Sequence, residues 1–378
     1  MNDSRRNRAV TMVATVARLL PEALEGPLRR QATLPMLGCF ALLLVTAPGA
    51  AWGQSIPSRV TLYPTNEDSH ARQGDHVDLN FGEAVAISGA TAAIGIPYDI
   101  EEQVGPGPGR VGIYSKTDAG WIRTATLLPS NVDDVRFGMD LALCGDLLIA
   151  RAESSTYVFR GRGAQWQEIQ RITFSSPNES IAALVCATDS FALGVTRLDD
   201  LGERRSTVDV YEAVCSPEFA RVAQLRTSNP DDSIGDTLAM ERGILVAGSR
   251  PDGVYVFERR GDRWIETEKL QGFGANGAGI GGAVAIRDRI IVAGAPGVEV
   301  STQPGFIQSG DAFVYLPYRN TWFQSQTLNN SGLGSTGAFG AQVAMGDGLV
   351  AVRAPFTNLG EMFTPGAVFV FDRIGGRR

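Results

Sequence analysis

The chain has 378 residues, of which 44% are hydrophobic and 20% are charged, and its net charge at pH 7 is −7. This composition is that of a globular protein with a sizeable core, and the negative charge argues against nucleic acid or an anionic membrane as a partner. The two histidines in the sequence leave little material for a histidine-based catalytic centre.

The first 53 residues have the pattern of an export signal. Arg29 and Arg30 precede an apolar run from Leu34 to Ala47, and small residues follow up to Gly53. A positive flank, a short apolar core and a small-residue end are typical of a secretory signal peptide. We expect cleavage after Gly53 and a mature chain that is either periplasmic or secreted. The leader carries six arginines and three carboxylates, so its removal changes the net charge to −10.

Six diverged copies of one sequence unit fill the chain from residue 81 onward. They follow one another at intervals of 43 to 59 residues, beginning at Phe81, Phe137, Ser180, Ile234, Ile280 and Phe339. A period in this range, repeated more than three times, indicates a repeat architecture. The predicted units are 81–136, 137–179, 180–233, 234–279, 280–338 and 339–378.

The apolar pattern of the units predicts short strands, four in a complete unit. Two apolar runs joined by a tight turn are followed by a third, such as Val254–Phe257, and then by a fourth that mostly opens with an aromatic residue, such as Trp264. Small residues, for example Ala86 and Ala142, recur on the first strand, where neighbouring sheets would approach a central axis. The sequence therefore predicts an all-β fold, a six-bladed β-propeller of four-stranded antiparallel blades.

The ends of the units carry a recognisable motif. Phe-Gly opens the units at 81, 137 and 339, and Gly294-Ala295-Pro296 closes the second strand of another. These motifs and the blade length resemble the FG-GAP repeats of integrin α-chain β-propellers and their bacterial relatives. The resemblance covers about Val60 to Phe371 and implies an integrin-like propeller, although integrin propellers have seven blades and this sequence has six units.

No metal or other cofactor is expected. Integrin-type blades often hold calcium in a loop of alternating aspartates, but the corresponding turns here, such as Cys144-Gly145-Asp146, contain no ligand series. His70 and His76 lie in a polar stretch before the first unit, where a solvated loop explains them better than a metal site.

Residues 54–80 are predicted to contain the strand that closes the ring. Arg59–Leu62 resembles the end of a fourth strand such as Glu268-Lys269-Leu270, while the last unit stops after its third strand at Phe371. We expect residues 58–63 to pair with Val368–Phe371, which would remove an exposed sheet edge.

Three cysteines remain after the leader is removed, namely Cys144, Cys186 and Cys215. Cys144 and Cys186 fall on the innermost strands of adjacent blades, near the same end, and export permits a disulfide between them. The favoured pairing is Cys144–Cys186 with Cys215 unpaired, and three free thiols is the alternative.

One end of the propeller is the predicted binding surface. The connections between strands two and three vary most in length, and with the connections between blades they emerge at the same end. Binding usually resides where loops vary on a constant scaffold. That end is acidic, and the candidate partner-binding residues are Asp99, Glu101, Glu102, Asp199 and Asp200. The alternative is that these charges only keep the loops soluble.

Two functions from different classes remain open. The favoured one is an exported, monomeric, non-catalytic module that binds a protein or glycan. The alternative is a hydrolase or lyase with a site at the mouth of the central channel, which would require converging carboxylates. The first strands offer only the scattered charges Glu83, Asp140 and Asp236 near their beginnings, so no enzymatic activity is expected.

Overall fold

The computed structural model describes a defined part of the chain. The residues described are 62, 80–98, 100–101, 105–174, 176, 178–198, 202–213, 218–229, 232–250, 253–272, 279–297, 310–329, 336–346, 348–357 and 366–372. All regular structure in these residues is β-structure, and none of them forms a helix with the length and apolar character needed to cross a bilayer.

The first three blades contain four principal strands each. Blade one begins with β1 (Val85–Ser88) and β2 (Thr91–Ile96). A small separate hairpin of β3 (Ile100–Glu101) and β4 (Gly105–Pro106) follows, and the principal strands β5 (Arg110–Thr117) and β6 (Gly120–Leu127) complete the blade. Blade two has β7 (Asp140–Cys144), β8 (Leu147–Arg151), β9 (Ser155–Arg162) and β10 (Gln165–Thr173). Blade three has β11 (Glu179–Ala187), β12 (Ser190–Leu198), β13 (Arg204–Ala213) and β14 (Phe219–Leu225).

The last three blades follow the same order. Blade four has β15 (Ser233–Glu241), β16 (Ile244–Arg250), β17 (Gly253–Arg260) and β18 (Arg263–Leu270). Blade five has β19 (Ala283–Arg287), β20 (Ile290–Ala295), β21 (Asp311–Tyr318) and β22 (Thr321–Leu328). Blade six has β24 (Gln342–Met345), β25 (Leu349–Ala354) and β27 (Ala367–Asp372), and a short separate pair is formed by β23 (Thr336–Gly337) and β26 (Phe356–Thr357).

The strand pairing confirms the predicted six-bladed β-propeller. In each of blades one to five the four principal strands pair with their sequence neighbours in an antiparallel sheet, and in blade six the three described strands do the same. Of residues 58–63, which the sequence predicts to be the fourth strand of blade six, only Leu62 is described. The closing strand therefore stays a prediction.

Within a blade, side chains are more buried on the third strand than on the outer, fourth strand. The third strand β9 begins with five buried residues, because both of its faces are covered by neighbouring blades. The outer strand β10 instead alternates between more and less exposed residues, as a strand with one face in solvent does. The β-branched and aromatic residues of the third strands are thus explained by packing on both faces.

Five apolar clusters hold the blades together, and each spans two successive blades. The cluster between blades one and two, for example, joins Val111 and Ile113 to Leu141 and Leu143. Equivalent clusters lie between blades two and three, three and four, four and five, and five and six. The core is therefore distributed between the sheets rather than within any one of them.

Four of these interfaces share a close approach of two glycines. A Cβ on Gly95 would lie 1.9 Å from the carbonyl oxygen of Gly138, so any other residue at position 95 would push the blades apart. The same contact recurs between Gly194 and Gly235, Gly248 and Gly281, and Gly294 and Gly340. The glycines that recur in the sequence units are required by this backbone contact.

The interface between blades two and three differs, because Arg151 and Ile181 occupy the positions of the two glycines. Here Cys144 at the end of β7 is joined to Cys186 on β11 by a disulfide, with a Cα–Cα distance of 6.0 Å. This is the pair that the sequence favoured. Cys215 lies outside the described residues. The one described interface without the glycine contact is thus the one with a covalent link.

Blades six and one each have exposed apolar side chains on one face. Val368 and Val370 on β27 are 52% and 60% exposed, whereas the equivalent Ala312 and Val314 of blade five are fully buried. On blade one, Val85 and Ile87 are 45% and 46% exposed, although their equivalents Leu141 and Leu143 are buried. Among the described residues these two faces therefore have no apolar partner.

Candidate functional site

The sequence predicts that the long connections between second and third strands form the binding surface, and many of their residues lie outside the described part of the chain. Glu101 lies in the small hairpin β3–β4 of blade one, where its backbone pairs with Gly105. Asp99, Glu102, Asp199 and Asp200 lie outside the described residues. The candidate acidic group therefore stays a prediction from the sequence.

The connection from blade one to blade two, residues 128–139, is fixed to blade two at two points. At the first, Ser130 donates from its backbone N–H to Oε2 of Glu168 (3.1 Å) and from its hydroxyl to Oε1 (2.7 Å). Glu168 belongs to the outer strand β10. One carboxylate thus accepts two hydrogen bonds from a single loop residue.

The second point is a buried carboxylate. Asp134 is 2% exposed, and its Oδ1 accepts hydrogen bonds from the backbone N–H (3.1 Å) and the hydroxyl (2.8 Å) of Ser154. Its Oδ2 accepts one from the Tyr157 hydroxyl at 3.0 Å. Burial and the adjacent negative charge of Asp134 raise the pKa of Tyr157 to about 12, so Tyr157 stays a proton donor to Asp134 at physiological pH.

The connection from blade three to blade four repeats both points. Ser228 donates from its N–H and its hydroxyl to Glu266, each at 2.7 Å. Asp232 accepts from the Tyr255 hydroxyl and from Nζ of Lys269, the latter at 2.5 Å. Burial alone would raise the pKa of Asp232, but the hydrogen bonds from Lys269 and Tyr255 lower it below its usual value.

These contacts change the interpretation of the acidic end. Asp134 and Asp232 are among the charges that make this end acidic in sequence, but both side chains are inside the protein and hold the loops. The sequence does contain a pattern that marks these two anchored loops, since residues 127–134 and 225–232 share Leu-x-x-Ser-Asn-x-Asp-Asp. The sequence interpretation missed it because this pattern occurs in only two of the six units.

Removing the Asp134 carboxylate should be costly. Asp134→Ala is expected to lower the free energy of unfolding by about 2 kcal/mol or more, because the Tyr157 and Ser154 donors lose their buried acceptor. The exposed neighbour Asp133 provides the control, since Asp133→Ala should change stability by no more than about 0.5 kcal/mol. Urea denaturation of the two variants measures both values. Equal effects would mean that Asp134 does not anchor the loop.

Blade three uses charge where its neighbours use tyrosine. Asp209, at the β13 position equivalent to Tyr157 and Tyr255, is 2% exposed. It accepts hydrogen bonds from Arg221 (3.1 Å) and Gln224 (3.1 Å). Arg197 lies 3.7 Å from Asp209 and also bonds Glu179 at 2.7 Å. These charges are paired with one another, so removing one partner would leave a buried charge uncompensated, and the cluster offers no open coordination or catalytic position.

The carboxylates that could serve an enzyme lie near the beginnings of the first strands. Asp140 on β7 is the Cα partner of Arg151 on β8, and burial raises its pKa to about 6 against the opposing effect of Arg151. Its Oδ1 accepts the N–H of Leu141 at 2.9 Å. The described part of the chain contains no group of three or more His, Cys, Asp and Glu suited to a metal, and His70 and His76 lie outside it.

The opposite end is rich in arginine, and much of that charge is internally paired. Arg259 binds Glu212 at 2.7 Å, and Arg289 lies 3.7 Å from Glu258. Arg289 also lies over the Trp322 ring, 5.6 Å from its centroid. The ion pair between Arg259 and Glu212 links blades three and four, and that between Arg289 and Glu258 links blades four and five. A large part of this basic character therefore stabilises the scaffold.

Comparison with known proteins yields similarity of fold only. No family model matches the chain, and no curated protein matches it by sequence. The Myceliophteria thermophila Cps50 (Swd1) β-propeller domain is 11% identical with a TM-score of 0.48, covering 77% of this chain and 83% of that one. Saccharomyces cerevisiae Sqt1 is 10% identical with a TM-score of 0.43, covering 79% and 83%. A luciferin-regenerating enzyme is 10% identical with a TM-score of 0.42, covering 78% and 92%.

Proposed function

We propose that this protein is an exported, non-catalytic, monomeric propeller of the FG-GAP type that binds a protein or glycan partner through the end carrying its long connections. The fold is a β-propeller, a scaffold suited to protein interaction. The observation that carries the proposal is the contrast between a constant set of blades and connections of very different length at one end.

The distribution of charge supports this choice of end. Many arginines of the opposite end are engaged in ion pairs within or between blades, as at Arg259 and Arg289. The acidic residues of the long connections lie in polar loops, where they would attract a basic surface over a distance of about one Debye length. A partner with a basic surface would therefore be steered to the end with the long connections.

The test requires the partner itself, obtained by affinity capture from the exporting cell. Replacing Asp99, Glu101, Glu102, Asp199 and Asp200 together by their amides is expected to slow association severalfold and to flatten its dependence on salt. Stopped-flow or surface-plasmon-resonance kinetics at several ionic strengths measure both effects.

The control variant is at the opposite end. Arg162, whose side chain is 86% exposed, can be replaced by Gln without disturbing a buried contact, and this change should leave association unaltered. Association that is insensitive to the five amides but impaired by Arg162→Gln would place the binding surface at the other end.

A further inference from the structure

Two exposed apolar residues lie on the connection between blades one and two. Leu128 is 57% exposed and Val132 is 71% exposed, which is the highest value among the large hydrophobic residues that the structure describes. Single exposed hydrophobic residues are ordinary on protein surfaces. Whether two exposed residues on the same short connection are significant depends on the contacts that hold the connection in place.

The connection is held by hydrogen bonds on both sides of Val132. Ser130 is bound to Glu168 by two hydrogen bonds, and Asp134 is bound to Ser154 and Tyr157. Within the loop, the N–H of Asp134 donates to the carbonyl of Asn131 at 3.2 Å. The exposure of Leu128 and Val132 is therefore a property of a fixed backbone, and a partner would bind there with little loss of loop entropy.

The matching connection between blades three and four shows that the fold does not require an apolar residue at the position of Leu128. Its serine and aspartate make the corresponding contacts with Glu266 and Tyr255. Yet Arg226, which is exposed, stands where the first connection has Leu128. The anchoring contacts are the same with either residue, so the packing of the loop does not account for the leucine.

The charged residues near Leu128 and Val132 indicate which kind of partner would bind there. Asp133 is exposed directly beside Val132, and the Glu153 side chain, which belongs to the next turn at this end, is 55% exposed. Arg136 lies 3.9 Å from Glu153 and over the Tyr98 ring, and no ion pair with Asp133 is found among the described residues. An apolar surface with an uncompensated carboxylate beside it is complementary to an apolar side chain that has Lys or Arg next to it.

We propose that Leu128 and Val132 form a docking point for a protein segment that presents an aliphatic or aromatic side chain flanked by a basic residue. This inference rests on the proposed function, because it places one contact of the partner at the end with the long connections. It adds the chemical class of the partner, a peptide segment rather than a glycan, and the residues that would meet it.

The test uses random peptides displayed on phage, selected on the full mature protein, with the enriched sequences then synthesised and labelled. Fluorescence anisotropy gives their Kd for the wild type, for Leu128→Arg and for Arg226→Leu. Leu128→Arg copies the residue of the matching loop and should fold normally, which thermal unfolding checks. We expect enriched peptides with an apolar residue beside Lys or Arg, a Kd raised about tenfold or more by Leu128→Arg, and no change with Arg226→Leu.

Several outcomes would overturn the inference. One is a selection that yields no peptide with higher affinity for the wild type than for Leu128→Arg. Another is a wild-type dimer that Leu128→Arg converts to a monomer, which would assign this surface to a second copy of the chain. Peptides that lose affinity when the five acidic loop residues are neutralised, but keep it with Leu128→Arg, would refute this docking point while leaving the proposed function intact.

Discussion

Replacing both Cys144 and Cys186 by alanine is expected to lower the free energy of unfolding by about 4 kcal/mol. The disulfide closes a loop with a sequence separation of 42 residues, and the chain-entropy model assigns a loop of that length a stabilisation of about this size. Guanidinium denaturation of the oxidised wild type and of the double variant measures the difference. A reducing agent should destabilise the wild type by a similar amount and leave the double variant unchanged, which provides the internal control.

Thiol titration gives an independent check on the same bond. If the leader with Cys39 is removed as predicted, three cysteines remain, so the unfolded, unreduced protein should contain one free thiol, that of Cys215. Three free thiols would exclude the disulfide. A stability that does not respond to the reducing agent would show instead that the bond forms without contributing to the fold.

The position of the disulfide explains why its loss should matter. The four other interfaces with a described apolar cluster also have the glycine contact, in which two backbones meet without intervening side chains. Between blades two and three, Arg151 and Ile181 replace the glycines, and the half-buried Asp140 lies opposite Arg151. Apolar packing around Phe191 and Leu193 remains there, and the Cys144–Cys186 bond links the innermost strands, which lack the glycine contact.

The repeat made the fold predictable from sequence. Each blade reuses the same small residues on its first strand and the same apolar third strand, so six imperfect copies reinforce one interpretation. Gly95 and Gly138 recur at fixed positions of the sequence units, but the structure was needed to show that the two glycines meet between blades. Local periodicity was sufficient because each blade packs mainly against its neighbours.

The candidate site was less predictable, because whether a charge is exposed depends on contacts between blades. Asp133 and Asp134 are adjacent and chemically identical, yet Asp133 is exposed and Asp134 is buried against Tyr157 of the next blade. Nothing in the local pattern separates them. Likewise, Leu128 and Arg226 are distinguished only when their two connections are recognised as the same structure.

The last prediction concerns the fourth strand of blade six, which would pair with the edge of β27. The sequence predicts that Arg59–Leu62 supplies the fourth strand of blade six, and the register of the other blades specifies how. Strand three pairs with strand four through Ile113 and Ala125 in blade one, and through Val314 and Gln326 in blade five. By the same register Val370 on β27 should lie opposite Val60.

Deleting residues 54–62 is therefore expected to lower the free energy of unfolding by about 1.5–3 kcal/mol. The estimate corresponds to the loss of Leu62 from the fourth strand, since its equivalents Leu127, Leu270 and Leu328 are buried and one buried leucine is worth about this much. The deletion should also expose the edge of β27 and promote aggregation, because an unpaired strand of alternating apolar residues is a template for further pairing. Denaturant unfolding and light scattering measure the two effects.

Cysteine trapping tests the register. In a background without the native cysteines, Val60→Cys with Val370→Cys should form an intramolecular disulfide under mild oxidation, because directly opposed residues have Cβ atoms about 4.5–5.5 Å apart. Val60→Cys with Val368→Cys is the matched control, since a shift of two residues separates the Cβ atoms by about 7 Å and should trap poorly. Equal trapping in the two variants would refute the register. A covalent dimer in place of the intramolecular bond would show that the N-terminal strand closes blade six of a second copy rather than its own.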